Sequence, residues 1–162
     1  MSESGETTIA PPVTETEVEH QFDDLDVDDG PRVGIVMGSK SDMPVMEKAA
    51  GELEDRGIRH EMRVMSAHRD PETVADYAKN ARMRGLRVII AGAGLSAALP
   101  GVVAAHTDLP VIGVPLTSKT SVANGLDALL AVTQMPPGVP VASVGVDNAK
   151  NAAVLAARIL SA

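Results

Sequence analysis

The sequence of 162 residues contains no cysteine and no tryptophan, and its only aromatic residues are Phe22 and Tyr77. Without cysteine there can be no disulfide framework, thiolate metal site or cysteine nucleophile. With so few aromatic rings, the hydrophobic core must consist of Ala, Val, Leu, Ile and Met. A chain of this length is nevertheless long enough to bury a substantial core in one domain.

Long apolar runs and basic runs are absent as well. No apolar stretch reaches the roughly 18 residues that span a bilayer. The first residues are neither basic nor apolar, so they do not form a secretory signal. The rest of the chain shows no basic run interleaved with aromatic residues, which disfavours nucleic-acid binding. We therefore expect a soluble cytoplasmic protein without a membrane or nucleic-acid partner.

The acidity of the chain is confined to one end. Residues 1–30 contain ten of the 22 acidic residues and no Lys or Arg, which leaves twelve acids against all 14 basic residues elsewhere. Acidic segments with few apolar residues cannot bury enough surface to offset the entropy of ordering. We predict a disordered extension over residues 1–31, with a solvating role favoured over docking, and a catalytic domain over residues 32–162.

From residue 32 onward, short apolar runs alternate with helical patterns. This alternation predicts an α/β fold with a parallel sheet covered by helices on both faces. The predicted strands span residues 33–37, 61–65, 86–91, 111–114 and 141–146. The predicted helices span residues 43–56, 71–84, 100–105, 123–132 and 149–160. Ligands bind beyond the carboxyl ends of such strands, which directs attention to the loops at residues 38–42, 66–70 and 92–98.

The first loop reads GSKSD, with Ser39, Ser41 and Asp42 at the start of a predicted helix. Backbone N–H groups there bind phosphate well, and a carboxylate can hold ribose hydroxyls. The competing interpretation is that Ser41 or Asp42 only caps the helix, with Pro44 in its first turn. The loop is too short to be a P-loop.

The second loop reads SAHRD and contains Ser66, His68 and Arg69. Histidine suits proton transfer near neutral pH, and arginine can bind an anion through two hydrogen bonds. In the competing interpretation, Asp70 caps the next helix and His68 is merely exposed. The other three histidines are weaker candidates, because His20 lies in the tail, His60 begins a strand and His106 ends a helix.

The third loop reads GAGLSA and matches the dinucleotide fingerprint G-x-G-x-x-A. The acid expected about 20 residues later to hold a ribose is absent, since Gly113, Val114 and Pro115 stand there. We expect Gly92 and Gly94 to permit close approach of the backbone to a ligand instead.

In order along residues 32–162, these loops resemble the PurE family. The matching segments are GSKSD at 38–42, SAHR at 66–69, AGAG at 91–94, LPG at 99–101, VIGVP at 111–115, QMPPGVPV at 134–141 and NAA at 151–153. Each segment alone is a weak signal, but the ordered set is specific. The resemblance implies a flavodoxin-like three-layer αβα domain that forms a homo-octamer with shared active sites, and no metal or organic cofactor.

The resemblance also implies a substrate and roles for individual residues. The substrate is a carboxyaminoimidazole ribonucleotide, an intermediate of purine biosynthesis. Ser39 and Asp42 would bind the nucleotide, with Ser41 and Ser66 beside them, and Arg69 would bind its phosphate. His68 would transfer protons, and Gly94 and Leu99 would line the pocket near the imidazole ring.

Ala98 departs from the family pattern, which has a pocket histidine at this position. The family contains a mutase branch, which moves a carboxyl group within the nucleotide, and a carboxylase branch, which adds free carbon dioxide. Residues 111–115 and 134–141 resemble the mutase branch, which we favour, while Ala98 keeps the carboxylase open.

Two binding domains with a similar architecture are weaker alternatives. A flavin-binding flavodoxin stacks aromatic rings on its cofactor, and only Tyr77 is available in the folded part. A receiver domain requires an acidic pair after its first strand and an aspartate after its third. Here those positions hold Gly38-Ser39 and Ala91-Gly92.

Overall fold

The computed structural model describes residues 29–162, so nearly all of the predicted acidic extension lies outside the described residues. Strands and helices alternate along this part of the chain. The strands are β1 (Val33–Met37), β2 (His60–Val64), β3 (Val88–Gly94), β4 (Val111–Leu116) and β5 (Ala142–Ser143). The helices are α1 (Met43–Asp55), α2 (Pro71–Asn80), α3 (Leu99–Ala105), α4 (Leu126–Thr133) and α5 (Ala149–Ser161).

The strands form a single sheet with the order β2-β1-β3-β4-β5, and every neighbouring pair is parallel. This is the strand order of flavodoxin-like folds, so the predicted fold class is confirmed. The order reverses between β1 and β3, and ligands of such sheets bind at the carboxyl ends of the strands near this reversal.

Helices cover both faces of the sheet. Side chains alternate along β1, so that Val33, Ile35 and Met37 pack with α1 and α5 on one face. Val36 points to the other face, where α2, α3 and α4 contribute to a second apolar cluster. Both clusters consist mainly of aliphatic residues and methionine, as the composition predicts.

The alanine-rich helix α5 packs closely, as expected. Its buried residues are Ala149, Ala152, Ala153 and Ala156, which share an apolar cluster with residues of α1, β3 and β4. Small side chains on the inner face let the helix backbone approach the sheet. Within the described residues, the longest helices have 13 residues, and none is long and apolar enough to cross a membrane.

Several predicted boundaries are wrong for physical reasons. β3 extends to Gly94, because the presumed glycine turn pairs with β4, with Gly92 opposite Val114 and Gly94 opposite Leu116. α2 ends at Asn80 rather than residue 84, and residues 81–85 form turns. β2 begins and ends one residue earlier than predicted.

Two elements near the C-terminus also differ from the prediction. α4 begins at Leu126, because Ala123 and Asn124 have φ values of 46° and 54° and cannot continue a right-handed helix. β5 has only two residues, Ala142–Ser143, against six predicted. It forms the sheet edge, and pairing ends after Ser143 because the chain leaves the sheet for the turn at residues 146–147.

Candidate active site

A cleft of about 480 Å³ lies at the carboxyl ends of β1 to β4. It contains all eight residues proposed from the sequence, which come from loops far apart in the chain. These are Ser39, Ser41, Asp42, Ser66, His68, Arg69, Gly94 and Leu99. Where the sequence suggested separate polar loops, the fold joins them into one concave surface.

A more open depression of about 620 Å³ lies at the opposite end of the strands, where the residues before β1 and β2 meet. It is lined by Pro31, Ile58, Arg59 and His60, among others. Ligands of parallel sheets bind at the carboxyl edge, so we assign the candidate site to the narrower cleft.

The loop after β1 forms a reciprocal cap on the short 3-10 turn Lys40–Asp42. The Ser39 hydroxyl accepts a hydrogen bond from the Ser41 N–H (3.3 Å), and the Ser39 N–H donates to Asp42 Oδ2 (3.0 Å). Ser39 therefore caps this turn. Asp42 occupies the N-cap position of α1, as predicted, but its side chain makes no capping bond to that helix. Pro44 occupies the first turn of α1, as predicted.

Asp42 is partly buried in this loop. Burial raises the pKa of its carboxyl group above the ordinary value of 3.8, and the hydrogen bond from the Ser39 N–H partly offsets this effect. Because that bond engages Oδ2, the other carboxylate oxygen remains available to accept hydrogen bonds from ligand hydroxyls.

The loop after β2 is tied to the loop after β1 through Arg69. Its Nε donates to the Ser66 hydroxyl (3.2 Å), and its Nη2 donates to the Gly38 carbonyl oxygen (3.1 Å). A guanidinium group has five N–H donors. Three donors of Arg69 are therefore left to bind an anion in the cleft.

The hydroxyl groups of Ser39 and Ser66 have the same hydrogen-bonding state. Ser39 Oγ accepts bonds from the N–H and hydroxyl of Ser41 (3.3 and 2.9 Å). Ser66 Oγ accepts bonds from the N–H and Nε of Arg69 (3.3 and 3.2 Å). A hydroxyl whose two lone pairs are engaged can still donate its proton. Both serines therefore act as donors toward the cleft, and together with Arg69 they suit a phosphate group.

His68 is exposed and lines the cleft directly beside Arg69. The next residue, Asp70, caps α2 by accepting a hydrogen bond from the Thr73 N–H (3.3 Å), as predicted. The cap fixes the end of the loop that carries His68. Of the other histidines, His60 and His106 lie outside the cleft, at the start of β2 and the end of α3, and His20 lies outside the described residues.

The apolar side of the cleft comes from the end of β3 and the start of α3. It contains Ala93, Leu95, Ala97, Ala98 and Leu99. The G-x-G-x-x-A glycines belong to β3 and do not open a helix, so the structural context of a dinucleotide site is missing, as the sequence indicated.

Gly94 has a packing role that the sequence did not reveal. A Cβ atom at this position would lie 2.9 Å from the backbone oxygen of Leu116 on the neighbouring strand. The close approach permitted by this glycine is thus between two strands at the wall of the cleft.

A fourth loop, which sequence reasoning missed, completes the cleft. Thr117 and Ser118 follow β4 and line the site. Asp147, in the loop before α5, accepts hydrogen bonds from the Thr117 N–H (2.9 Å) and hydroxyl (2.6 Å). The rule that located the first three loops applies equally after β4 and could have found Thr117.

The comparisons with known proteins agree with this geometry. Residues 32–162 match the family described as AIR carboxylase, which covers the entire predicted catalytic domain. The chain belongs to this family. This family contains the PurE proteins, so the resemblance to PurE that the loop motifs show is confirmed.

Two curated PurE relatives are N5-carboxyaminoimidazole ribonucleotide mutases. The protein from Pyrococcus abyssi is 62% identical over 131 residues, which cover 81% of this chain and 74% of the relative. The protein from Thermotoga maritima is 62% identical over 130 residues, covering 80% and 75%. The crystal structure of Treponema denticola PurE superimposes with a TM-score of 0.71 at 39% identity, over 81% of this chain and 80% of the other.

Proposed function

We propose that this chain is an N5-carboxyaminoimidazole ribonucleotide mutase of de novo purine biosynthesis. It would convert N5-carboxyaminoimidazole ribonucleotide into 4-carboxyaminoimidazole ribonucleotide. The observation that carries the proposal is the meeting of Ser39, Ser66, Arg69 and His68 in one cleft. It occurs in a chain that is 62% identical to proteins with that name.

We place the phosphate of the nucleotide at the hydrogen-bond donors of the cleft. The Ser39 and Ser66 hydroxyls and three N–H groups of Arg69 can all donate to its oxygens. The free oxygen of the Asp42 carboxylate would accept bonds from the ribose hydroxyls. With phosphate and ribose held on this side, the imidazole would lie toward Gly94 and Leu99 on the apolar wall.

His68 would move the single proton that the isomerisation requires. As the acid, it protonates the exocyclic nitrogen while the bond between nitrogen and the carboxyl carbon breaks. The bonding electrons return to nitrogen, and carbon dioxide is released into the cleft. The adjacent ring carbon then attacks carbon dioxide, and His68 removes the proton from that carbon to restore aromaticity. One residue serves as acid and then as base, so no net proton is consumed.

The apolar wall would retain carbon dioxide between the two steps. Ala97, Ala98 and Leu99 offer no polar group that competes for it, and a trapped reactant recombines far faster than one drawn from solution. Direct recombination is what separates a mutase from a carboxylase.

The carboxylase is the second candidate, and Ala98 is the observation that favours it. The residue lines the cleft where the PurE pattern has a histidine. A carboxylase would make the same product from aminoimidazole ribonucleotide and free carbon dioxide.

An isotope experiment separates the two activities. N5-carboxyaminoimidazole ribonucleotide labelled with ¹³C in its carboxyl group is turned over in excess unlabelled bicarbonate. Retention of ¹³C in the product is expected for a mutase. Loss of ¹³C to the bicarbonate pool, with a rate of product formation proportional to the carbon dioxide concentration, would contradict the mutase and support the carboxylase.

We also propose a homo-octamer located in the cytoplasm, where phosphorylated ribonucleotides are made. Val122, Leu126 and Leu130 are 66%, 45% and 49% exposed. Leu126 and Leu130 lie four residues apart on one face of α4, and Val122 lies in the turn before that helix, close to Leu95 and Ser96 of the cleft. Exposed apolar side chains beside the cleft support burial by another subunit. Sedimentation equilibrium should give eight times the 16.8 kDa mass of the chain, and a monomer would contradict the assembly.

A further inference from the structure

The Thr117 hydroxyl differs from the serine hydroxyls on the other side of the cleft. Its proton is donated to Asp147 Oδ2 over 2.6 Å, and the neighbouring Thr117 N–H is donated to Asp147 Oδ1 over 2.9 Å. An ionised carboxylate only accepts hydrogen bonds. The lone pairs of Thr117 Oγ1 are consequently what this hydroxyl can offer to a ligand.

The backbone around Asp147 holds this arrangement in place. The Asp147 N–H donates to the carbonyl oxygen of Pro115 (2.9 Å), two residues before Thr117. Asp147 has a φ of 54°, a left-handed conformation that Asp and Asn adopt more readily than other residues with side chains. Three hydrogen bonds therefore join this one residue to the end of β4.

The cleft thus has opposite hydrogen-bonding character at its two ends. The loops after β1 and β2 present the donors of Ser39, Ser66 and Arg69 next to the Asp42 carboxylate, and the Thr117 hydroxyl after β4 presents an acceptor. In the strand order β2-β1-β3-β4, the β4 loop lies two strands away from the β1 loop. Neighbouring strands are about 4.8 Å apart, so these two loops are separated by roughly 10 Å. A mononucleotide whose phosphate binds the donors can reach Thr117 with its base.

We infer that Thr117 is a specificity residue that accepts a hydrogen bond from an N–H group on the aminoimidazole end of the substrate, and that Asp147 is the positioning residue that orients its hydroxyl. This inference rests on the proposed function, because it takes the ribonucleotide as the ligand. It adds a contact on the side of the cleft opposite the phosphate.

Substitution of Thr117 by valine tests the contact, since valine keeps the shape but lacks the hydroxyl. We expect KM to rise about fivefold to tenfold, the usual value of one hydrogen bond, with kcat changed less than about twofold. Thr117→Ser should restore the KM. The matched control is Thr133→Val, which removes a hydroxyl bonded to Leu129 O outside the cleft and should leave KM unchanged.

Asp147→Asn tests the orientation. The asparagine oxygen must still accept the Thr117 N–H, which places the amide NH₂ against Thr117 Oγ1. The hydroxyl then accepts from the amide and turns its proton toward the cleft. KM should rise by a similar factor, about fivefold to tenfold, although both Thr117 and the left-handed backbone are retained. An unchanged KM in this variant would overturn the role assigned to Asp147.

Binding measurements locate the donor on the ligand and separate the two levels of proposal. Calorimetric titration of Thr117→Val should show weaker binding of aminoimidazole ribonucleotide and unaltered binding of ribose 5-phosphate, which lacks the base. If the variant bound both ligands equally weakly, or bound both as tightly as the wild type, the inference would be overturned. Normal turnover by the wild-type protein would still support the proposed function in that case. Wild-type protein that neither binds nor converts the nucleotide would overturn the proposed function itself.

Discussion

The guanidinium group of Arg69 donates a hydrogen bond to the carbonyl oxygen of Gly38 over 3.1 Å. This bond joins the loop after β2 to the loop after β1 across the edge of the sheet. Arg69 also donates through Nε to the Ser66 hydroxyl. The Arg69 side chain therefore links the loops after β1 and β2, and three of its N–H groups remain free to bind the ligand.

Arg69→Lys is expected to weaken substrate binding much more than the chemical step. Lysine keeps the positive charge, but its ammonium group cannot bond to Ser66 and Gly38 and also bind phosphate in a planar geometry. We expect KM to rise at least tenfold and kcat to fall less than about threefold, since hydrogen bonds to charged groups contribute roughly 1.5–3 kcal/mol. Steady-state kinetics over a range of substrate concentrations measures both constants. A lysine variant with wild-type KM would contradict the assignment of Arg69 to the phosphate.

His68→Asn is expected to abolish turnover and leave nucleotide binding largely intact. Asparagine has a similar size and polarity but cannot exchange a proton near neutral pH. General acid–base catalysis contributes about 10²–10⁴-fold, so kcat should fall by at least 10². Calorimetric titration with aminoimidazole ribonucleotide measures binding in the same variant. The matched control, His106→Asn, changes a histidine at the end of α3 and should retain activity. Near-normal turnover in His68→Asn would rule out its proposed role.

The site could be predicted from the sequence largely because parallel sheets place their loops by rule. Three loops were identified after their strands, and the fold brings them together at one edge. The same rule places the loop after β4 at this end of the sheet, but it does not give the chemical role of Thr117. Thr117 acquires a defined hydrogen-bonding state only through Asp147, 30 residues away.

The fold was predictable in its order and less so in its boundaries. Alternating patterns predict all five strands and all five α-helices of the described residues, but not that Gly92 and Gly94 extend β3. A glycine in the sequence shows that another group can approach the backbone closely, but not which group does so. At Gly94 that group is the backbone of Leu116. Likewise, Asn124-Gly125 is a turn signal, but Ala123 gives no sequence signal for its left-handed conformation, so the predicted start of α4 is too early.

A partly buried ion cluster joins β2 to α2 and predicts a pH-dependent stability. The Glu61 carboxylate accepts hydrogen bonds from Tyr77 (2.8 Å), Arg63 (3.1 Å) and Arg84. Burial raises the pKa of Glu61, but the bonds from Tyr77, Arg84 and Arg63 outweigh it and leave the pKa below the ordinary value of 4.5. Burial, together with the hydrogen bond to the Glu61 carboxylate, raises the pKa of Tyr77.

Glu61→Gln should therefore destabilise the protein most at neutral pH. Because the folded-state pKa is depressed, the ionised carboxylate stabilises the fold above the unfolded pKa, and this contribution is lost as pH falls through the folded pKa. Urea unfolding at fixed protein concentration should give a loss of about 2 kcal/mol at pH 7, which shrinks as the pH falls below the ordinary value of 4.5 toward the lowered pKa of folded Glu61. Glu47→Gln, at an exposed position of α1, is the control. A loss that does not change with pH would contradict the ionic origin.

Gly94→Ala should damage both the stability and the activity of the protein. The added Cβ would meet the Leu116 oxygen at 2.9 Å, and a backbone atom in a paired strand cannot move aside cheaply. Strain of this kind costs roughly 1–3 kcal/mol, and relief by separation of β3 from β4 would shift the cleft wall that Gly94 lines. The midpoint temperature of thermal unfolding and the value of kcat/KM should both fall. Gly51→Ala is the matched control, because nothing lies within 4 Å of its Cβ in α1, and there alanine should stabilise the helix by about 0.5–1 kcal/mol. A Gly94→Ala variant as stable as the wild type would show that the two strands separate at this point without cost.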